Sequence, residues 1–397
     1  MANRIPSSRF STAANKDKLG LLGELAGDWK GTGFNLIARP NFHDKANLYL
    51  QLNQTTEQIT FTPIGGPVPN RGFGQDDIEL FGLTYLQKIS DAGHDGALHI
   101  EPGIWVTHAD TTFPPESAPA KGQLVARMAT IPHGNAVLAE GTATRFTGPP
   151  TLKAGTVPYN GSVFPSFNST PFGVPPTAPL AVFNAAGSSE KLTAPTIPAV
   201  PFGEYDLTVP AGPANPRTPF DTSPPEPALP AAIEGVAMQN VINDPILLLQ
   251  ARVNRQLADG FVFDGDGVAL NVATQTPLTF LTTPNSGPKG ASVPVALPQF
   301  GGGPENIQFL EGETKTVATQ TQLLENAETA IVYATFWLEK LTHKASGQSF
   351  LQLQYAQMVV LNFPVFLLLN PPPPQPSAYV NLGWPHITVA TLHRNFG

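Results

Sequence analysis

The chain has 397 residues, 41% of them hydrophobic, so it is long enough to bury a sizeable core. Only 13% of the residues are charged, the formal net charge is -8, and the 22 Lys and Arg residues are spread along the whole chain, so there is no electrostatic reason to expect nucleic-acid binding. The absence of cysteine excludes disulfides, thiolate nucleophiles and sulfur-rich metal cages, and 43 prolines with 36 glycines favour strands and loops over helices.

Residues 1–20 are expected to form an N-terminal tail. The stretch "MANRIPSSRFSTAANKDKLG" lacks the apolar central region of a secretory signal. No part of the chain has an uncharged apolar run long enough for a membrane helix. We therefore expect a soluble, cytoplasmic protein with no membrane span and no nucleic-acid partner, whose oligomeric state the sequence does not indicate.

Residues 21–148 contain a series of short strand patterns. Apolar and polar residues alternate at period two, with turn residues between the runs. Leu83, Tyr85, Gln87 and Ile89, for example, share one face of their strand. The runs are "GDWKGTGFNLIA", "ANLYLQL", "QITFTP", "IELFGLTYLQKI", "ALHIEPGIWV", "LVARMATI" and "NAVLAEGTATRF". Their number and spacing predict a mainly β protein built as an antiparallel meander that closes into a barrel.

Residues 149–232 differ in composition from the residues before them, with 19 prolines between Pro149 and Pro230. Because proline has no backbone N–H, such a stretch is predicted to be a connector rather than part of a sheet. Its many aromatic residues argue against a flexible linker. We expect it to wrap the barrel surface or to cover the barrel mouth.

Residues 233–397 are predicted to form a second β-rich lobe that begins with a helix. In "NDPILLLQARVNRQLADG", Asn243 can cap the helix, Pro245 suits its first turn and Gly260 can end it. Strand patterns resume in "GVALNVATQTPLTFLTT", "ETKTVATQTQL", "AIVYATFWLEKL", "SFLQLQYAQMVVLNF" and "GWPHITVATLHRNFG". This lobe either completes the first barrel, which then carries a long insertion, or forms a second, related barrel.

Three motifs resemble a known family. "LAGDWKGTG" has a G-x-W-x-G-x-G arrangement, "GALHIEPGIWV" has LH-x-E-x-G-x-W, and "WPHITVATLHR" closes the chain with a histidine after a proline. Together they resemble nitrobindins, and the G-x-W resembles that of lipocalins more loosely. The likeness covers residues 20–146 and, less closely, 326–394. It implies a calycin-type barrel that binds haem b.

The resemblance implies that His386 is the haem-iron ligand, since in nitrobindins the histidine after the proline of the closing strand ligates iron. A histidine held structurally beside Trp384 and Pro385 is the alternative. His99 and Glu101 share a strand face at i, i+2 spacing, so they form half a metal site or a hydrogen-bonded pair that pins a hairpin. Trp29 and Trp105 are either cofactor contacts or core residues at a barrel end.

Three functions follow as hypotheses. The first is a haem-binding barrel, for which the resemblance implies peroxidase-like turnover or nitric oxide and peroxynitrite chemistry. The second is a metal-free carrier of another apolar small molecule, such as a fatty acid, pigment or isoprenoid. The third is a structural or interaction protein whose barrel is filled by side chains. Hydrolysis has no support, because the chain lacks a G-x-S-x-G elbow and an H-E-x-x-H helix.

Overall fold

The computed structural model describes twelve segments of the chain, and the secondary structure within them is mainly β. The described residues are 17–41, 46–71, 76–93, 96–107, 122–131, 135–152, 181–183, 189–191, 229–243, 245–273, 331–366 and 379–395. The strands are β1 (Gly27–Asn41), β2 (Ala46–Pro63), β3 (Val68–Asn70), β4 (Ile78–Asp91), β5 (Ala97–Thr107), β6 (Gln123–Ile131), β7 (Asn135–Thr147), β8 (Ala181–Phe183), β9 (Ser189–Lys191), β10 (Ala232–Ile233), β11 (Val236–Ala237), β12 (Phe261–Phe263), β13 (Asp266–Ala273), β14 (Ile331–His343), β15 (Ser349–Phe366) and β16 (Tyr379–Asn395). The helices are a 3₁₀ helix (Gly20–Leu25), α1 (Met238–Asn243) and α2 (Ile246–Ala258).

Ten strands form one closed antiparallel barrel, in the order β1-β2-β4-β5-β6-β7-β13-β14-β15-β16. The barrel closes because β16 pairs with β1, from Asp28 opposite Asn395 to Ile37 opposite His386. This confirms the predicted meander barrel.

The two β-rich parts of the chain share that barrel. Strand β7 pairs with β13, from Thr147 opposite Asp266 to Glu140 opposite Ala273. The described strands of residues 233–397 therefore complete the barrel begun by residues 21–148, as the one-barrel alternative requires. The predicted strand "ETKTVATQTQL" lies outside the described residues.

The 3₁₀ helix closes one end of the barrel. Leu22 and Leu25 are fully buried there, and the indole Nε1–H of Trp29 donates to the Leu25 carbonyl at 2.7 Å. The side chain of Gln123 holds the other side of the helix, since its amide donates to Leu19 O at 2.7 Å and accepts from Leu21 N at 2.6 Å. We call this the closed end, and the opposite end of the barrel the far end.

Helices α1 and α2 cover part of the outer wall. Val241, Ile246 and Val253 pack in one cluster with Leu36 of β1 and Met358 of β15. These strands are buried on both faces. Along one strand, the apolar side chains can therefore face the helices in one half and the barrel interior in the other. "ANLYLQL" and "QITFTP" are accordingly two halves of the single strand β2, with Leu50 and Leu52 facing the helices and Ile59 and Phe61 facing the interior.

Helix α2 matches the predicted helix in position and end. Gly260, at φ 90°, follows it in a conformation that suits glycine. Asn243 is not its cap, because it ends the short helix α1, and Pro245 occupies the N-cap position of α2. The sequence did not predict α1.

A buried polar contact docks α2 on the wall. The amide of Gln256 donates to Gln352 Oε1 at 2.6 Å, and the Gln352 amide donates to Glu339 Oε2 at 2.8 Å. Burial raises the pKa of Glu339 to about 8, although the hydrogen bond from Gln352 opposes this shift. The glutamines of β15 therefore face the helix, although their alternation with Leu353 and Tyr355 is also typical of a solvated strand face.

The Pro-rich segment is described only in part. The prediction that it takes no part in a sheet is wrong for one stretch, since β8 and β9 pair with each other and Phe183 of β8 pairs with Asn381 of β16. The reason is local, because the chain has no proline between Pro179 and Pro195 and can supply ladder N–H groups there. The expected wrapping of the barrel by the remaining segment lies outside the described residues.

Gly33 of "LAGDWKGTG" and Gly103 of "GALHIEPGIWV" make room for interior side chains. A Cβ on Gly33 would lie 2.8 Å from Glu57 Oε1 and 2.4 Å from the Val389 carbonyl oxygen. A Cβ on Gly103 would lie 2.5 Å from the Tyr85 ring and 2.5 Å from the Met128 carbonyl oxygen. Contacts that short require the backbone to move, so only glycine fits at these positions.

We expect Gly103→Ala to destabilise the protein by roughly 1–3 kcal/mol, because the added methyl group overpacks the interior against Tyr85 and a backbone oxygen. Urea unfolding would measure the loss. Gly96→Ala is the matched control, since a Cβ at Gly96 meets nothing within 4 Å. Equal stabilities of the two variants would contradict this account of Gly103.

Candidate functional site

Side chains that face the interior form an apolar layer at the closed end and a polar layer above it. Trp29, Phe61, Leu83, Trp105 and Phe336 belong to the apolar layer together with the 3₁₀ helix. Side chains of a strand alternate between its two faces, so the next interior positions toward the far end lie two or four residues further along. Those positions hold the polar layer, which comprises Glu57, Tyr85, Gln87, Glu101, Arg127, Tyr355 and Gln357.

Arg127 is the centre of the polar layer. Its Nη2 lies 2.5 Å from Glu101 Oε1, its Nη1 donates to Gln357 Oε1 at 2.5 Å, and its Nε donates to the Tyr85 hydroxyl at 2.9 Å. The Tyr85 hydroxyl in turn donates to Glu101. All three guanidinium nitrogens therefore have partners, as a buried cation requires.

Aromatic rings enclose the same guanidinium. Its Cζ lies 5.5 Å from the ring centroid of Tyr85, 5.8 Å from that of Trp105 and 5.5 Å from that of Phe336. A guanidinium over an aromatic face gains electrostatic attraction from the ring quadrupole. The rings of Trp105 and Phe336 therefore hold Arg127 in place from the side of the apolar layer.

The ion pair fixes the charge of Glu101. Burial alone would raise its pKa, but the Arg127 charge, the contacts of His99 and the hydrogen bond from Tyr85 together lower the pKa to about 2. Burial also disfavours the charged form of Arg127, but the charges of Glu101 and Tyr85 and the hydrogen bonds to both side chains together outweigh burial, so the pKa of Arg127 is raised further. Both side chains are ionised at neutral pH.

Glu57 is the second buried carboxyl of the layer, and its hydrogen-bond partners are neutral. Tyr355 donates its hydroxyl to Glu57 Oε2, Thr55 donates to Oε1 at 2.9 Å, and the Gln87 amide donates to the Tyr355 hydroxyl at 2.8 Å. Burial raises the pKa of Glu57 to about 7, although these hydrogen bonds oppose the shift. Glu57 can therefore gain or lose a proton near neutral pH, whereas Glu101 cannot.

Of the predicted site residues, His99 joins the polar layer. Its Nε2 lies 3.2 Å from Glu101 Oε2, so the structure contains the hydrogen-bonded pair that the i, i+2 spacing suggested. Within the described part of the chain, no three His, Cys, Asp or Glu side chains are grouped closely enough to hold a metal ion. The pair is thus not part of such a group there.

Trp29 and Trp105 lie in the apolar layer. Both are buried, and Trp105 meets Phe336 edge-on with ring centroids 5.4 Å apart. Trp29 is eight residues along β1 from Ile37, the partner of His386, which corresponds to roughly 26 Å along the strand. The structure therefore does not bring Trp29 near His386, and a cofactor contact of either tryptophan stays a prediction.

His386 faces the interior at the far end. It has the same strand parity as Ala390 and Leu392, which pack in the interior cluster. Its partner on β15 is Val359, whose own partner on β14 is Val332, and both valines are buried in the interior cluster. The His386 side chain is half-buried.

Sequence reasoning missed Arg127, Glu57 and Tyr355 as a group. For Arg127 the available signal was parity, because it has an interior position between the apolar residues Val125 and Ala129 at i±2. A charged residue at such a position needs a buried partner. The sequence could not name that partner.

Comparisons of the chain with protein-family models, with curated proteins and with solved structures gave no match. Among the described residues, no helix is long and apolar enough to cross a membrane.

We expect Arg127→Met to lower the free energy of unfolding at pH 7 by about 3–5 kcal/mol, because it leaves the buried Glu101 carboxylate without its cation. The loss should shrink as the pH falls, since protonation then removes the unpaired charge. Urea unfolding at several pH values would measure it. The double variant Arg127→Met with Glu101→Gln should recover much of the loss, and a double variant as unstable as the single one would contradict the ion-pair account.

The raised pKa of Glu57 predicts a pH-dependent stability. Between pH 4.5 and 7 the folded protein holds a proton on Glu57 that the unfolded chain has released, so stability falls as the pH rises through this window. Over this window the titration of Glu57 lowers the free energy of unfolding by roughly 3 kcal/mol. In Glu57→Gln this part of the pH dependence should be absent, which unfolding curves of both proteins at pH 4.5 and 7.5 would show. Parallel pH profiles of the two proteins would refute the assignment.

Proposed function

We propose that the barrel binds haem b at its far end, with His386 as the ligand of the iron. The observation that supports this most directly is the position of His386 on the interior face of the closing strand, opposite Ile37 and Val359. The resemblance of the three sequence motifs to nitrobindins agrees with the same role. A neutral imidazole nitrogen is a common axial ligand of haem iron.

The composition of the far end supports a porphyrin site. Interior side chains toward the far end include the buried aliphatic residues Val332, Val359, Val137, Ile131 and Ile89. Branched apolar side chains of this kind would suit the faces of a flat macrocycle. A ten-stranded barrel is also wider than the eight-stranded barrels that side chains alone can fill.

When bound, haem would supply redox or oxygen-atom chemistry. The protein's own contribution would be to hold the imidazole of His386, to exclude water with the aliphatic wall and to control protons. Glu57 would exchange protons from the polar layer and not beside His386, because its pKa is about 7 and its partner Gly31 is six residues from Ile37 on β1. Tyr355 and Gln87 hold the Glu57 carboxyl group in place.

The absorption spectrum tests this proposal. We expect the purified protein, reconstituted with haemin, to show a Soret band that His386→Ala abolishes or shifts strongly. His343→Ala is the matched control, because His343 ends β14 near the closed end and hydrogen-bonds Ser346 at the surface. That variant should bind haem as the wild type does.

Two outcomes would reject the proposal. An unchanged haem spectrum in His386→Ala would remove the ligand assignment. Absence of any Soret band after haemin addition to the wild type would remove haem itself and favour the metal-free carrier of an apolar molecule, which the same aliphatic wall suits.

A further inference from the structure

A row of neutral polar side chains crosses the interior wall beside His386. In the strand register, Gln357 of β15 lies opposite Thr388 of β16, Thr388 lies opposite Asn35 of β1, and Asn35 lies opposite Asn53 of β2. All four have interior parity, since Asn35 follows Gly33 by two residues and Asn53 precedes Thr55 by two. The row therefore lies one interior position closer to the polar layer than His386 does.

Two members of this row are buried with incomplete hydrogen bonding. Asn35 is 2% exposed and Asn53 is 9% exposed. Among the described residues, no donor reaches Oδ1 of either side chain. The amide of Asn53 is held from the other side, because its Nδ2 donates to Asp91 Oδ2 at 2.6 Å. Because Asp91 engages the side-chain nitrogen of Asn53, the side-chain oxygen is the atom that remains to accept a hydrogen bond.

Two buried amide oxygens without donors destabilise the ligand-free protein. A buried polar atom without a partner is unfavourable because it has lost its bonds to water, and native proteins satisfy most such atoms. Directly opposed residues on neighbouring strands have Cβ atoms about 5 Å apart, so the two amides can serve one small group between them. The missing partner is a hydrogen-bond donor.

We propose that Asn35 and Asn53 form a subsite that binds the hydroxyl group of an apolar alcohol or phenol. This subsite requires neither haem nor His386, although it would share the aliphatic wall of the far end with the proposed haem site. The apolar part of the ligand would lie along the aliphatic wall of the far end, and its hydroxyl would donate to an amide oxygen of the pair.

The charges around the subsite exclude a carboxylate head group. Asp91 places a carboxylate behind Asn53. Arg127, the cation of the polar layer, is already paired with Glu101. A fatty acid would therefore bring an anion toward acceptor oxygens and a carboxylate, whereas a hydroxyl supplies the donor that they lack.

Three matched probes test the subsite, namely 1-naphthol, 1-methoxynaphthalene and 1-naphthoate. They share one ring system and differ in whether the polar group donates a hydrogen bond, only accepts one, or carries a negative charge. Isothermal titration calorimetry at pH 7 would use the full chain without haem. We expect 1-naphthol to bind about tenfold more tightly than the ether, as one additional hydrogen bond allows, and 1-naphthoate to bind most weakly.

Asn35→Leu and Asn53→Leu should each reduce the preference for the phenol over the ether to about onefold. Asn35→Leu should also keep or raise the urea midpoint of the ligand-free protein, because it replaces a side chain whose buried oxygen is unsatisfied with an apolar one. Asn53→Leu also removes the hydrogen bond to Asp91, so its urea midpoint is not used to judge the subsite. This second readout separates a binding role from a structural one, for which the midpoint would fall. Asn271→Leu is the control, since Asn271 is exposed on β13 and accepts from Thr335 Oγ1 at 2.9 Å.

The proposal is overturned if the wild type binds phenol and ether equally, if it prefers the carboxylate, or if both leucine variants keep the preference. It is also overturned if Asn35→Leu lowers the urea midpoint or fails to fold. Failure of the haem proposal gives a different result, because loss of the Soret band leaves the phenol-to-ether ratio of the haem-free protein unaffected.

Discussion

The pairing of β1 with β16 is the constraint on which the rest of the structure depends. It joins the first and last described strands of the barrel and converts an open sheet into one without free edges at those strands. Only a closed sheet has an interior, so both the polar layer and the placement of His386 follow from this ladder. The pairing also brings Gly33 against the Val389 carbonyl, where no side chain would fit.

The polar layer carries a desolvation cost, because two carboxyl groups and a guanidinium are removed from water there. Arg127 and Glu101 compensate each other, and Tyr85 and Gln357 complete the guanidinium's partners. Glu57 has no such cation and holds its proton more tightly instead. Buried charge is tolerated only with a partner, and an unpartnered acid is neutralised by its proton. The interior thus combines one permanently ionised pair with one carboxyl that titrates near neutrality.

The proposed haem site and the proposed alcohol subsite use neighbouring positions of the same wall. His386 and Thr388 are successive interior residues of β16, and Asn35 is the partner of Thr388 on β1. Stability and binding conflict at such positions, because a wall optimised for folding would satisfy or remove the two amide oxygens. Their persistence as buried acceptors is the feature by which this barrel differs from a plain apolar container.

The sequence by itself determined the ten strands of the barrel, the end of helix α2 at Gly260, and which residues of each of these strands share a face, because alternation and glycine conformation are local properties of the backbone. It also placed His99 and Glu101 on one face, where they hydrogen-bond. Only the tertiary structure decided that β7 pairs with β13 and that Glu57 meets Tyr355, 298 residues away. Which strands become neighbours depends on how the whole sheet closes across a long intervening segment. No local pattern encodes that closure, and for this reason Arg127 and its partners emerged only from the fold.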